Sequence, residues 1–517
     1  MPTRSKWPAI LMTTFAAFGG ILYGYDTGTI SGIIAMKYYQ FQFGHRTDGQ
    51  TGLPFDPHSS YALNTADKSL VVSILSAGTF LGALFAAPMG DLVGRKLGLI
   101  FSCLIFCVGV ALQTAATAVT AFAVGRVLAG FGVGLISCLV PMYQSECAPK
   151  WLRGAIVSCY QWAITIGLLI ASIADDGTSS HNSSSAYRIP IGIQFVWAAV
   201  LAGGMTFLPE SPRYYIRRGR QADAARSLAR LNSGTVDDSE TVAQLAEIKA
   251  NFEYELSFGK VGYAECFIQG KKKHLLRTLT GITLQAFQQL SGINFIFYYG
   301  TTFFQRSGIA KPFTISIITN VVNVVSTVPG MWAVEKIGRR KLLLIGAAGM
   351  CFCEFIIAIV GVTISVSNTA GQKVLIAFVC FYIFFFASTW GPIAWVVTGE
   401  IYPLATRAKA MSMSTASNWL WNFAIGYSTP YLVDPGRGNA NLGAKVFFIW
   451  GTACFGAFIF TYFCIAETKG LSLEEVDELY QTTIPSKSSS FRPSVRFVDE
   501  VHRPGSTDKT AAEKLAV

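Results

Sequence analysis

Two ionisable residues lie inside long apolar stretches, where a charge is costly and usually functional. Asp26 lies in the first stretch, and Arg126 lies in the first third of the fourth. An isolated buried carboxylate tends to take a proton, whereas a nearby guanidinium favours the anion. A pair that approaches and separates would therefore act as a proton switch, in which Asp26 is protonated when Arg126 withdraws. The alternative is a static pair that fixes helix packing.

Side-chain amides form a second group inside the apolar stretches. Amides suit a polyhydroxyl solute because each offers both donors and an acceptor, and their neutrality fits a neutral ligand. Gln285, Gln288 and Gln289 share one face of a helix, since their spacing is i, i+3, i+4. The alternative for each amide is a hydrogen bond between helices. The amides are Gln161, Gln285, Gln288, Gln289, Asn294, Asn323, Asn418 and Asn422.

Large aromatic side chains accompany these amides. They could cover the apolar C–H faces of a sugar ring, and they are Trp390, Trp395, Trp419 and Phe287. The dipeptide Gly391-Pro392 interrupts the tenth stretch and predicts a broken helix beside the site. The seventh apolar stretch contains Gly281, Gly292 and the pair Tyr298-Tyr299, which predict a similar interruption there.

Acidic and basic residues recur at the ends of the apolar stretches. Bidentate Arg–carboxylate pairs among them could latch two helix bundles together on the cytosolic side and break on inward opening. The alternative is that helix-end charges simply follow membrane topology. The first set is Asp91, Arg95, Glu146, Arg153, Glu210 and Arg213, and the second is Glu335, Arg339, Arg340, Glu400, Arg407 and Glu467.

The elements that must position these residues are membrane helices. The chain has 517 residues, of which 51% are hydrophobic and 14% charged, and its mean hydropathy is +0.42; soluble domains carry about a quarter charged residues. Twelve segments approach the roughly 20 apolar residues of a span. They lie at about 8–30, 67–88, 97–116, 119–141, 155–174, 190–208, 275–300, 313–335, 341–365, 373–398, 409–432 and 444–465.

Charge and cysteine content exclude several classes of protein. The net charge of +11 comes from basic residues in short loops, which fits the positive-inside rule better than a nucleic-acid partner. None of the 11 Cys has metal-site spacing with His, so we expect no metal and no cofactor. No nucleophile–base set is visible, so we expect no enzyme. Glu354 has no assigned role, and glycosylation of the sequon at Asn182 is left open.

The acidic–basic signatures repeat in one order in both halves of the chain. Asp91 to Arg95 matches Glu335 to Arg339, and the seven-residue spacing from Glu146 to Arg153 recurs from Glu400 to Arg407. This predicts an all-α fold of twelve helices in two pseudo-symmetric six-helix bundles, with the binding site between them. The predicted divisions are the bundles 1–208 and 275–466, a cytosolic helical linker 209–274, and a cytosolic tail 467–517.

These residues resemble the sugar porter family of the major facilitator superfamily. The resemblance rests on Gly94-Arg-Lys96, Pro209-Glu-Ser-Pro-Arg213, Gln288-Gln-Leu-Ser-Gly-Ile-Asn294, Gly338-Arg-Arg340, Glu400-Ile-Tyr-Pro403 and Glu467-Thr-Lys-Gly470, and reaches to about residue 480. Within the family the chain is most similar to fungal high-affinity glucose transporters. One departure is Ala466, where the family usually has Pro.

The resemblance implies alternating access and a monosaccharide held mainly by the second bundle. It implies sugar contacts for Gln161, Gln288, Gln289, Asn294, Asn323, Trp395 and Asn418, with Trp419 nearby. Asp26 matches a position that is acidic in proton-coupled members, which supports symport. We therefore expect a monomeric, proton-coupled hexose importer in the plasma membrane, with both termini cytosolic. A sugar sensor with little transport, or an uncoupled hexose carrier, are the alternatives.

Overall fold

The computed structural model describes residues 7–47, 54–148, 152–257, 262–270, 273–307, 311–364, 368–403, 406–436, 438–471 and 473–492. The described chain is almost entirely helical. One short antiparallel pair of strands, β1 (His45–Arg46) and β2 (Tyr61–Ala62), lies between the first two spans.

Twenty α-helices follow one another in the part of the chain that the structure describes. They are α1 Trp7–Ala16, α2 Phe18–Ile33, α3 Lys37–Phe43, α4 Thr65–Leu92, α5 Arg95–Ala115, α6 Val119–Cys147, α7 Arg153–Thr178, α8 Ser185–Phe207, α9 Pro212–Arg217, α10 Gln221–Leu231, α11 Ser239–Ser257, α12 His274–Leu290, α13 Ile293–Arg306, α14 Pro312–Ile337, α15 Arg339–Thr363, α16 Thr369–Phe385, α17 Gly391–Glu400, α18 Arg407–Val433, α19 Val446–Cys464 and α20 Leu473–Thr482.

Ten segments of the described chain are long and apolar enough to cross a membrane. Two further long segments complete the twelve predicted spans, namely α12 with α13, and α18. The first is interrupted at Ser291-Gly292, and α18 carries a row of buried polar side chains that lowers its hydropathy. These two segments also supply most of the clustered amides.

The spans form two six-helix halves that face each other. Within the first half α4 packs on α6 and α5 on α6, and within the second α15 packs on α19 and α12 on α18. The main pairings across the interface between the halves are α4 with α18, α7 with both α14 and α17, and α2 with α13. The protein is thus a major facilitator fold, as predicted.

Two interruptions lie where polar groups converge. Gly292 has φ +79°, a left-handed conformation that favours glycine, and it ends the turn between α12 and α13. The tenth span differs from the prediction of a break at Gly391-Pro392. It stays continuous through a π-helical turn, Phe386–Trp390, in which Gly391 N–H bonds back to Phe386 O. The wider turn accommodates Pro392, which lacks an N–H.

We call the end of the bundle that carries α9–α11 the linker face, and the opposite end, with β1 and β2, the loop face. The linker predicted to be helical, 209–274, contains α9, α10 and α11. The C-terminal segment packs on the linker face, because Asp477 of α20 pairs with Arg277 and the Arg277 guanidinium lies 4.4 Å from the Tyr480 ring centroid. The Ser-, Pro- and Lys-rich composition predicts disorder after Tyr480. Residues 481–492 instead include the end of α20 and a short 3-10 helix, Pro485–Ser490, and residues 493–517 lie outside the described residues.

Candidate functional site

Gln288 is the centre of a buried amide network between α12, α17 and α18. Its Nε2 donates to Trp390 O at 3.0 Å and to Gly391 O at 3.1 Å, at the end of the π turn. Its Oε1 accepts from Asn418 Nδ2 at 2.7 Å, and the same nitrogen donates to Gln285 Oε1 at 2.7 Å. The amides predicted on one face of the seventh span therefore meet the eleventh span directly.

A second set of amides continues the network towards α13. Gln289 Oε1 accepts from Asn294 Nδ2, and also from Asn422 Nδ2 at 3.3 Å. Asn422 Oδ1 in turn accepts from Tyr298 Oη at 2.8 Å and from Ser76 Oγ at 2.7 Å. Because Ser76 lies on α4, this set joins the two halves of the protein.

Two side-chain atoms of the amides predicted from the sequence have no hydrogen-bond partner among the described residues. They are Gln285 Nε2, a donor, and Asn323 Oδ1, an acceptor. Both side chains are buried, and a buried polar atom without a partner costs about 1–3 kcal/mol. A hydroxyl-bearing ligand can satisfy both kinds of atom, since each hydroxyl donates and accepts.

The other predicted contact residues lie around the interface between the halves. Gln161 of α7 lies beside the π turn, since a Cβ placed on Gly391 would lie 3.5 Å from Gln161 Nε2. Trp395 meets the Tyr160 ring edge-on, with centroids 6.2 Å apart. Trp419 donates to Ser137 Oγ at 3.2 Å.

Tyr23 completes the aromatic contacts, since its ring meets Trp419 edge-on with centroids 5.0 Å apart. Aromatic rings from both halves therefore pair across the interface. Two other aromatic residues lie elsewhere. The Trp390 indole donates to Leu343 O at 2.9 Å, and Phe287 packs on Phe460. These two rings support helix packing rather than a sugar face.

Asp26 and Arg126 meet inside the first half. Arg126 Nη1 donates to Asp26 Oδ1 at 3.3 Å, and the two residues are 1% and 0% exposed respectively. A single long contact holds them, because Asp26 Oδ2 and Arg126 Nη2 have no partner among the described residues. A buried ion pair with unsatisfied atoms is weakly held compared with a bidentate pair.

The ion pair and the amide network are joined by α4. Arg126 Nε donates to Val71 O at 3.3 Å, and Ser76, five residues further along α4, donates to Asn422. The helix that accepts a hydrogen bond from Arg126 is therefore also the helix that contacts the amides.

The linker face of the first half is organised around Arg95. Its guanidinium lies 3.0 Å from Glu146 and 3.4 Å from Asp91. Glu210 accepts from the backbone N–H groups of Arg95 and Lys96, both at 3.0 Å, at the start of α5. A carboxylate at a helix N-terminus is stabilising. Burial raises the pKa of Glu210, and these N–H donors oppose the rise.

The second half repeats this arrangement residue for residue. Arg339 binds Glu400 through two nitrogens, at 2.8 and 3.2 Å, and lies 3.2 Å from Glu335. Glu467 accepts from the N–H groups of Arg339 and Arg340, at 2.9 and 3.1 Å. The hydroxyls of the two halves also correspond, because Ser211 donates to Glu146 and Thr468 donates to Glu400 at 2.6 Å.

These ion pairs lie within each half, not between the halves as the sequence suggested. The described contact across the linker face is different: a Cβ placed on Gly154, at the start of α7, would lie 2.5 Å from Glu335 Oε1. Arg407 donates to Tyr402 O at 3.3 Å, and Arg213 lies half-buried in α9. The side chain of Arg153 lies outside the described residues.

Sequence reasoning missed an ion pair at the loop face. Lys68 of α4 lies 3.0 Å from Asp434, which follows α18, and the other oxygen of Asp434 binds Arg306 of α13. Lys68 thereby joins the first half to the second. The available signal was a lysine in the first turn of an apolar span, on the side where the positive-inside rule disfavours it.

The chain is matched by the family model of the sugar (and other) transporters over residues 12–480. It is 54% identical to a major facilitator-type transporter of Aspergillus rugulosus, over 93% of this chain and 89% of that one. It is 47% identical to a probable glucose transporter of Neurospora crassa, over 95% and 83%.

Two further comparisons bear on function. The chain is 46% identical to a high glucose sensor of Saccharomyces cerevisiae, over 95% of this chain but 63% of the sensor. Its structure matches the proton:xylose symporter XylE bound to 6-bromo-6-deoxy-D-glucose with a TM-score of 0.76 and 27% identity, covering 92% and 100% of the two chains. The chain therefore belongs to the sugar transporter family of the major facilitator superfamily, a family of multi-pass membrane carriers and not of enzymes.

Proposed function

We propose that this protein imports a monosaccharide, a hexose and specifically glucose, together with a proton by alternating access. The observation that carries the proposal is the buried, singly bonded Asp26–Arg126 pair, connected through α4 to a neutral amide network. The amides can bind a polyhydroxyl solute without a counter-charge, and the pair can exchange a proton.

The relatives support both parts of the proposal. A probable glucose transporter and a high glucose sensor are close in sequence, and a proton:xylose symporter holding a glucose derivative is close in structure. We propose the divisions 1–208, 209–274, 275–466 and 467–517, with the linker face and both termini in the cytosol. The protein acts as a monomer in the lipid bilayer of the plasma membrane.

The proposed sugar contacts are Gln161, Gln288, Gln289, Asn294, Asn323, Trp395, Asn418 and Trp419. Gln285 belongs with them, because its Nε2 has no partner among the described residues and it shares Asn418 with Gln288. Sugar hydroxyls replace bonds that these amides now make with one another. The bonds between amides that are lost when the sugar binds are then offset by bonds to its hydroxyls.

In the proposed cycle the proton enters when Asp26 and Arg126 separate. Asp26 next to Arg126 is ionised, since the guanidinium compensates its charge. When the first half rearranges and Arg126 on α6 moves away from Asp26 on α2, the isolated carboxylate takes a proton. Return of Arg126 expels that proton on the other side, so sugar movement is coupled to the proton gradient.

The test compares Asp26→Asn with wild type in sealed vesicles. We expect Asp26→Asn to lose accumulation of glucose against its gradient, and to lose sugar-induced alkalinisation outside, while exchange of labelled for unlabelled glucose continues. Glu354→Gln is the matched control, because Glu354 is also buried but lies on α15, which packs on helices of the second half. Equal loss of accumulation and exchange would contradict the proton role, and persistent accumulation would indicate another coupling site.

A sugar sensor is the second candidate, favoured by 46% identity to the yeast high glucose sensor. That sensor is longer, because this chain covers 63% of its length. Uptake of labelled glucose by a cell that lacks its own hexose carriers separates the two functions. Transport at rates like those of a known carrier supports the proposal, and glucose-dependent signalling without uptake supports the sensor.

A further inference from the structure

A small cavity lies between the two halves near the loop face, away from the amide network. It is lined by residues of α2 and α7 from the first half and by residues of α13 and α14 from the second. Its polar lining consists of Ser31, Ser172, Asp175, Thr301 and Ser316. Because both halves supply walls, the cavity exists only while they are together at this face.

Asp175 is the ionisable residue in this lining. It is 1% exposed, and its Oδ1 has no hydrogen-bond partner among the described residues. The carboxyl group lies directly against α2, since a Cβ placed on Gly32 would overlap Asp175 Oδ2. A buried carboxyl group is therefore fixed at the interface with one oxygen open to the cavity.

The neighbours of Asp175 are neutral. Thr301 Oγ1 lies 3.3 Å from Ser31 Oγ and 2.9 Å from Ser316 Oγ, and these hydroxyls bridge α2, α13 and α14. Asn320 of α14 donates to Ser172 Oγ at 2.7 Å. Its Oδ1 is a second buried acceptor without a partner among the described residues.

The titratable groups on the surrounding helices have other contacts, although the buried Nε of Arg188 has no hydrogen-bond partner among the described residues. Tyr25 of α2 faces Asp175 but donates its hydroxyl to Pro190 O at 3.0 Å, and Asp26 pairs with Arg126. On α8, the Arg188 guanidinium lies 5.8 Å from the Tyr187 ring centroid. Asp176, next along α7, is exposed. No Lys, Arg or His in the part of the chain that the structure describes forms an ion pair with Asp175.

An ionised carboxylate buried without a cation is strongly disfavoured, and the group takes a proton instead. We propose that Asp175 is a second proton-binding site, occupied when the two halves are closed at the loop face and emptied into water when they open. It differs from Asp26, whose charge Arg126 compensates. The site needs neither bound sugar nor coupled transport, so it goes beyond the proposed function.

Infrared spectroscopy of the full chain in lipid vesicles, without sugar, tests the proposal. At neutral pH we expect a protonated carboxyl C=O band that shifts in D2O, is absent in Asp175→Asn, and persists in Glu354→Gln and Asp26→Asn. If Asp175→Asn does not fold, Asp175→Glu is measured, and the same band should move in frequency. An unchanged band in Asp175→Asn, or in a folded Asp175→Glu, overturns the proposal. A wild-type carboxylate band that responds to Na⁺ also overturns it, because the site then holds a metal cation.

The link to opening is tested with Lys68→Met, which removes the ion pair between the halves at the same face. Weaker closure exposes Asp175 to water more often, so the pH midpoint of the Asp175 band should fall. For one coupled proton the closed-to-open ratio changes by up to about tenfold per pH unit. An unchanged midpoint in Lys68→Met, with the loop face shown to be open by labelling from that side, overturns the coupling.

Discussion

Lys68 Nζ and Asp434 Oδ2 lie 3.0 Å apart and connect the two halves of the transporter at the loop face. Both side chains are buried, at 9% and 10% exposure, so the pair is shielded from salt. Asp434 has a second partner in Arg306, whereas the ammonium of Lys68 lies 5.3 Å from the Tyr299 ring centroid. The two ends of the pair are therefore unequal.

This inequality predicts different costs for removing each partner. Asp434→Asn leaves the buried Lys68 without a counter-charge, and breaking a buried pair in this way costs about 3–5 kcal/mol. Lys68→Met leaves Asp434 bound to Arg306 and should cost less than half as much. Thermal unfolding in detergent measures both. Asp223→Asn is the control, since its partners Arg220 and Arg226 are exposed and surface pairs contribute about 0–1 kcal/mol. Equal losses for the two pair variants would show that Arg306 does not compensate.

Gln288 should contribute more to sugar affinity than other buried amides. Gln288→Leu removes a side chain that positions Asn418 and the carbonyls of the π turn, so we expect about a 10- to 100-fold weaker apparent affinity, equivalent to about 1–3 kcal/mol. Concentration-dependent uptake of glucose measures the change. The control is Gln144→Leu, because Gln144 is also buried but donates to Thr13 O at 3.1 Å, within the first half. An affinity unchanged in Gln288→Leu would exclude the network as the sugar site.

Gly94 and Gly338 should be equally intolerant of a side chain. They have φ +104° and +102°, and a Cβ on either would overlap the carboxylate of Glu210 or Glu467 that caps the following helix. We expect Gly94→Ala and Gly338→Ala each to destabilise the fold by about 1–3 kcal/mol. Thermal unfolding measures the loss. Gly203→Ala, in a helix with open space around its Cβ, should be neutral or slightly stabilising. Unequal losses of stability in Gly94→Ala and Gly338→Ala would mean that the same local geometry does not contribute equally to stability in the two halves.

Gly154 should control closure at the linker face. A bulky side chain there collides with Glu335 of the other half, so Gly154→Phe should hold this face open. We expect sugar binding in detergent to be retained and uptake into vesicles to fall at least about tenfold, because the cycle cannot close on that side. Gly177→Phe is the matched control at the other end of α7, where a Cβ meets nothing within 4 Å. Normal uptake by Gly154→Phe would show that the contact is incidental.

The sequence predicted the twelve-helix fold because its signals are local. Apolar length gave the spans, and the repeated acidic–basic spacing gave two halves, which the family and structural comparisons confirm. The Gln285–Gln288–Gln289 face was readable from helical spacing alone. Helical spacing could not predict that Gln288 bonds to Trp390 O and Gly391 O. These bonds depend on the conformation of the tenth span at its π turn.

Contacts between distant segments were not predictable in the same way. Arg339 and Glu400 belong to one half and Lys68 and Asp434 to both, although all four are helix-end charges. Which charges pair across the interface depends on the tilt and rotation of the helices. Helix packing determines these angles, and the spacing of residues in the sequence does not. The π turn has the same origin, because Pro392 can be accommodated by a break or by a wider turn.

The interruption at Ser291-Gly292 has a consequence for the kinetics of the cycle. It separates a 14-residue helix, α13, from the amide-bearing α12, and α13 alone carries Thr301 and Arg306 to the loop face. Tilting this short helix requires breaking only a few hydrogen bonds, whereas at the linker face the Arg95 and Arg339 clusters tie the helix ends of each half together, so that movement there displaces a whole six-helix half. Admission of solute should therefore be fast, and its delivery should limit turnover.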